Sequence, residues 1–140
     1  MMPALTWRPR YALAALLVLL IEIAIALWVR DRIVRPYVGD ILAVILVYLA
    51  LRAVTALRVV PAAIIAFFAG VLVEFGQAAN LLHLLGLGDH DAARILFGTV
   101  FSIGDIVCYA AGAAIAVLVD RPHKGQVPAP ESLAFPRESP

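Results

Sequence analysis

Glu74 and Gln77 stand three residues apart in VLVEFGQAAN, inside a run that otherwise reads as hydrocarbon. An acid in an apolar helix is costly and usually marks a paired or functional position. Three-residue spacing puts the carboxylate and the amide on one helix face, where both can meet a polar group. Glu22, Asp40 and Asp105 are further acids in apolar runs, and Arg94 follows the Glu74 run in a charged stretch. Paired carboxylates can do acid–base work if their environments drive them apart, and an arginine can hold a carboxylate or phosphate. Each acid also has a structural account. Ser102 and Asp105 have the S-x-x-D spacing of a capping box, Asp40 follows Pro36 at a helix start, and a Glu74–Arg94 ion pair would hold a loop down. Glu74 is the acid those accounts cover least, because an expected helix end at Ala79 places it where the macrodipole disfavours negative charge.

The elements that must position these groups are apolar helices. The 140 residues are 64% hydrophobic and 15% charged, far from the balance of a soluble domain. The expected fold class is all-α: an integral membrane, antiparallel four-helix transmembrane bundle with spans at about 11–29, 37–54, 59–79 and 102–119. Residues 1–10 form a short basic segment, and the spans make up a membrane domain over 11–119. In the first span each Leu, Ile or Val contributes about −0.3 to −0.6 kcal/mol, against roughly +2.5 to +3.5 for Glu22, so insertion is expected to survive. The stretch from Leu81 to Arg94 is too broken by Gly86 and Gly88 to span. Residues 120–140, with Pro122, Pro128, Pro130, Pro136 and Pro140, are expected to be a disordered proline-rich tail. Small residues at Ala62, Ala63, Ala66 and Gly70, and again at Ala110, Gly112, Ala113 and Ala116, are suited to close helix contact.

The arginines and lysine on the N-terminal side of this bundle (Arg8, Arg10, Arg52, Arg58, Arg121, Lys124) outnumber those on the other (Arg30, Arg32, Arg35, Arg94), which favours both termini in the cytoplasm. Whichever side is inside, alternation of four spans carries Glu22, Asp40, Glu74 and Asp105 toward one leaflet. Arg52 is the polar residue expected near the other. Trp7, Tyr11, Trp28, Tyr37 and Tyr48 fall near span ends, as interfacial anchors do.

Net charge is +1 and no basic block runs past two residues, which excludes a nucleic-acid surface. Cys108 is the lone cysteine, and His83 and His90 fit no metal spacing, so neither a disulfide, a metal site nor a cofactor is expected. No GxSxG, HExxH, Walker loop or Rossmann fingerprint is present.

RPYVGD (Arg35–Asp40), VEFGQ (Val73–Gln77), AARILFGTVFSIGD (Ala92–Asp105) and DIVCYAAG (Asp105–Gly112), in that order, resemble domain-of-unknown-function family 2809. These are small, mostly bacterial, four-span membrane proteins. A looser likeness is to the VanZ-like family, whose E-x-x-Q, loop Arg and D-x-x-x-N-x-x-G pattern is similar to Glu74/Gln77, Arg94 and Asp105/Gly112. Tyr109 stands at the Asn position, and the segment from Gln77 to Arg94 is longer than that pattern. The VanZ likeness implies a role linked to glycopeptide antibiotic resistance or the cell envelope, the other family has no assigned activity, and the expected location is the bacterial inner membrane. Taken together, Glu22, Asp40, Glu74, Gln77, Arg94, Asp105 and Tyr109 are expected to line a polar, ligand-binding pocket open to the outer leaflet, for an amphiphilic or lipid-linked molecule. Beyond the bilayer and that ligand, the chain could pair with copies of itself. The alternatives are an enzyme on a lipid-linked substrate and a small proton-coupled transporter. The first lacks an activated nucleophile. The second is at odds with acids gathered at one leaflet.

Overall fold

A computed structural model describes residues 4–84 and 103–121. Arg94, the loop around it, Ser102 of the capping box and most of the proline-rich tail lie outside the described residues. The described chain is helical, with no strand beyond one isolated bridge between Leu5 and Thr55. Helix α1 is Pro9–Trp28, α2 is Val34–Val54, α3 is Val59–Leu84 and α4 is Ile103–Val119. The first three are long and apolar enough to cross a membrane, and α4 is a shorter apolar helix.

Local chemistry sets several of these boundaries. Pro9 opens α1, where its missing N–H is no loss. Asp31 accepts from the Ile33 backbone N–H at 2.8 Å, turning the chain into α2. α2 starts at Val34, three residues ahead of the expected Tyr37, with Pro36 in its first turn. Thr55, extended at φ −127° and ψ 157°, ends α2, and its hydroxyl donates to the Leu51 carbonyl at 2.6 Å. α3 runs on to Leu84, past the expected end at Ala79. Glu74 is therefore nearly three turns, about 15 Å at 1.5 Å per residue, from the helix terminus. The macrodipole acts only within the last turn, so the expected penalty on Glu74 does not arise.

α2 is the central helix, in contact with α1, α3 and α4, and α3 also meets α4. The core is made by Val44 and Tyr48 of α2, Ala62, Ala63 and Ala66 of α3, and Tyr109 and Ala116 of α4. Small residues make it possible. A methyl built on Gly112 would lie 2.6 Å from the Ile41 carbonyl oxygen, and one on Gly70 would lie 3.2 Å from Val44 Cγ2. The two helix backbones thus approach as only glycine permits at that point. The expected small face of α4 divides in two. Gly112 and Ala116 are buried, while Ala110 is exposed and shares an open apolar groove with Ala113. α1 buries no residue at all, although Leu13, Leu16, Leu17 and Leu20 stand along it.

The chain ahead of α1 is tied down by backbone bonds. Thr6 N–H donates to the Val54 carbonyl and Arg8 N–H to the Ala53 carbonyl, while Ala56 N–H donates to the Ala4 carbonyl. The N-terminal segment therefore lies against the junction of α2 and α3.

Candidate functional site

Asp40 of α2, Glu74 and Gln77 of α3, and Tyr109 of α4 line one cavity of about 220 Å³. Its floor is apolar, formed by Val44, Val47 and Gly70. Each polar group is there because of helical spacing. Asp40 is one turn before Val44, Glu74 one turn after Gly70, and Tyr109 one turn before Gly112, so the tight α2–α3–α4 contact delivers all three to one place. Tyr109 is buried and donates its hydroxyl hydrogen to Glu74 Oε2 at 3.1 Å. Asp105, one turn before Tyr109 in the first turn of α4, acts electrostatically on Asp40, as does Glu74. Asp40 thus feels two further carboxyl groups, one of them beside it in a small space whose described polar lining is otherwise an amide and a phenol. Such a site offers acceptors and negative charge to an entering group.

Glu22 is placed elsewhere. It lines a second cavity of about 330 Å³ between α1 and α2, with Leu19, Ile23, Arg35 and Gly39. Its Oε1 is buried and has no hydrogen-bond partner among the described residues. Of the seven residues grouped from sequence, four share a cavity, Asp105 adjoins it by charge, Glu22 stands apart, and Arg94 lies outside the described residues. Among the described residues no group of histidine, cysteine or acidic side chains could hold a metal ion.

Sequence reasoning missed a second polar constellation, at the other ends of the helices. Asp120, just past α4, accepts from Tyr11 of α1 at 2.7 Å, from Tyr48 of α2, and from Arg52 Nε at 3.0 Å. Arg52 also donates to the Tyr11 hydroxyl at 2.8 Å and to the Leu57 carbonyl, and lies over the Tyr11 ring at 4.8 Å. Burial alone would push the Asp120 carboxyl up, but the hydrogen bonds from Tyr48 and Tyr11 and the Arg52 guanidinium outweigh it and hold it below the usual carboxylate range. Tyr48, 1% exposed, is therefore a core residue rather than an interfacial anchor, and the half-buried Tyr11 turns its hydroxyl to Asp120, whereas Trp7 and Trp28 are open to the surroundings. The signal was present in the four-residue spacing of Tyr48 and Arg52 and in an acid directly after the last apolar run.

These features define a class: a small all-helical protein with three helices fit to cross a membrane and polar groups clustered at both ends of its central helix. The chain matches the family described as protein of unknown function (DUF2809) over residues 29–113, and it belongs to that family. The match takes in Asp40, Glu74, Gln77, Arg94, Asp105 and Tyr109 and leaves out Glu22, Tyr11 and Asp120. No curated protein and no solved structure matches the chain.

Proposed function

We propose that this protein is a four-span, antiparallel helical bundle of the bacterial cell membrane, with both termini cytoplasmic, and that its acid and amide cavity holds the polar head of an amphiphilic, envelope-related ligand at the extracytoplasmic leaflet. Support for insertion comes from α1, which exposes its leucines along its whole length. An apolar helix that its own protein does not cover is stable in hydrocarbon and not in water. Support for the antiparallel arrangement comes from the bonds among Tyr11, Tyr48, Arg52, Leu57 and Asp120. They join the start of α1, the end of α2, the approach to α3 and the end of α4. Asp40, Glu74 and Asp105 then belong to the opposite ends.

The observation that carries the ligand reading is the shared cavity of Asp40, Glu74, Gln77 and Tyr109, contributed by three helices. Its volume is below the roughly 300–1,000 Å³ of a pocket that encloses a whole small molecule. It suits a head group whose chains stay among the lipids. Facing carboxylates favour a head rich in N–H or O–H donors, or one bearing a cation. Arg94 completes the reading as the partner of any acidic group on the same head. The looser VanZ likeness, carried by Glu74, Gln77, Arg94 and Asp105, is what points to the cell envelope.

The test is native mass spectrometry of the full chain purified from bacterial membranes in mild detergent. A co-purifying amphiphile is expected on the unsubstituted protein. Glu74→Gln and Tyr109→Phe should each reduce its occupancy about tenfold, equivalent to about 1.4 kcal/mol. Equal occupancy in all three proteins, or no adduct in any, would overturn the reading.

A further inference from the structure

The α1–α2 turn and the first turn of α2 place Arg30, Arg32 and Arg35 around a cavity of about 480 Å³, with Asp31 and Pro36 completing its wall. All three arginines are exposed, and none forms a salt bridge with a described carboxylate. Asp31 is occupied in receiving the Ile33 N–H, at 2.8 Å. The turn thus concentrates guanidinium groups whose donors are free for an outside acceptor. Arg35 is also a wall of the neighbouring cavity of about 330 Å³, whose other lining is largely the apolar α1 face at Leu19, Ile23 and Ile25. One arginine therefore joins a cationic space at the helix ends to an apolar slot running down between α1 and α2.

We propose that this joined site binds an anionic phospholipid, its phosphate held by Arg30, Arg32 and Arg35 and an acyl chain lying in the α1–α2 slot. Guanidinium groups match phosphate oxygens in pairs of parallel hydrogen bonds and are more weakly hydrated than ammonium, so they suit a boundary between water and lipid. Exposed basic side chains beside a membrane helix attract lipid head groups of net negative charge. The slot itself is lined by Glu22 and largely apolar side chains, so the phosphate belongs at the arginine end. The site shares no residue with the acid and amide cavity and does not depend on what that cavity holds, although it does require that the helices lie in a bilayer.

The full chain in mild detergent is titrated with phosphatidylglycerol, with phosphatidylcholine and with inorganic phosphate, and bound species are counted by native mass spectrometry. Phosphatidylglycerol should bind one to one, at least tenfold more tightly than phosphatidylcholine. Arg35→Gln, and separately the Arg30→Gln/Arg32→Gln pair, should remove most of that preference. Arg58→Gln, an exposed arginine beyond the other end of α2, should leave it intact. Equal binding of the two lipids, or a preference that survives the arginine substitutions, overturns the proposal. Displacement of the lipid by an equal concentration of inorganic phosphate overturns the lipid assignment and leaves an anion site.

Discussion

Gly112 faces the backbone of Ile41 so closely that a methyl group in place of its hydrogen would lie 2.6 Å from the carbonyl oxygen. That oxygen belongs to the helix and has no freedom to retreat alone. Gly112→Ala must therefore push α4 away from α2, and overpacking of this kind costs about 1–3 kcal/mol. Gly70→Ala meets Val44 Cγ2 at 3.2 Å and the Tyr109 ring at 3.3 Å, contacts that side chains can relax, so it should be milder. Gly39→Ala and Gly76→Ala meet nothing within 4 Å and should be neutral or slightly stabilising. Thermal unfolding in detergent, compared across the four variants, checks the order. A neutral Gly112→Ala would refute the close α2–α4 approach.

Tyr48 and Asp120 are 72 residues apart in the chain and joined by a hydrogen bond to a charged acceptor. Bonds of this kind contribute about 1.5–3 kcal/mol each. Asp120→Asn keeps the shape but removes the charge that Tyr11, Tyr48 and Arg52 share. It should destabilise the protein by about 2 kcal/mol and should not add to Tyr48→Phe. A double-mutant cycle should give a coupling of about 1 kcal/mol or more. Additive losses would mean that the two residues do not act through each other.

The same carboxylate sets a pH dependence. Asp120 is held below the usual carboxylate range in the folded protein, so the unfolded chain takes up its proton first as pH falls. Its contribution is fully present above the unfolded value of about 4 and is lost as pH drops below that, through the folded value. The unfolding midpoint should therefore hold from neutrality to about pH 5 and fall in stronger acid by more than in Asp120→Asn. Parallel acid profiles for the two proteins would remove Asp120 as the cause.

The helices were legible because hydrocarbon-seeking residues in runs of about twenty leave few alternatives. The wall of the acid cavity was legible for a different reason: an acid in such a run has no cheap place to go except toward another polar group. Tyr11, Tyr48 and Asp120 were not legible, because tyrosines near helix ends are expected to sit at the interface whether or not they have partners. Along α2 the residues Asp40, Val44, Tyr48 and Arg52 recur every four positions, so a single stripe carries a polar group for each end and a plug between them. That stripe was written in the sequence, but its meaning needed the partners on α1, α3 and α4. It also changes the case on transport. Polar groups do gather at both ends, yet on this stripe the fully buried Val44, packed against Gly70 and Gly112, stands between them.

The proposed orientation can be checked without knowing the ligand. The segment ahead of α1 is bonded to the α2–α3 junction, and Asp120 at the end of α4 is bonded to Tyr11 at the start of α1. Those contacts require the N-terminal segment, the α2–α3 junction and Asp120 to face one side of the bilayer together. In the proposed orientation, which rests on the arginine bias, that side is the cytoplasm. A reporter fused after Arg121 should fold and function in the cytoplasm, and a cysteine at Arg58→Cys should resist a membrane-impermeant thiol reagent in intact cells. A cysteine at Arg32→Cys, in the α1–α2 turn, should react. Reaction at 58 with protection at 32 would invert the protein and move the acid cavity to the inner leaflet. Reaction at both would contradict the proposed antiparallel arrangement.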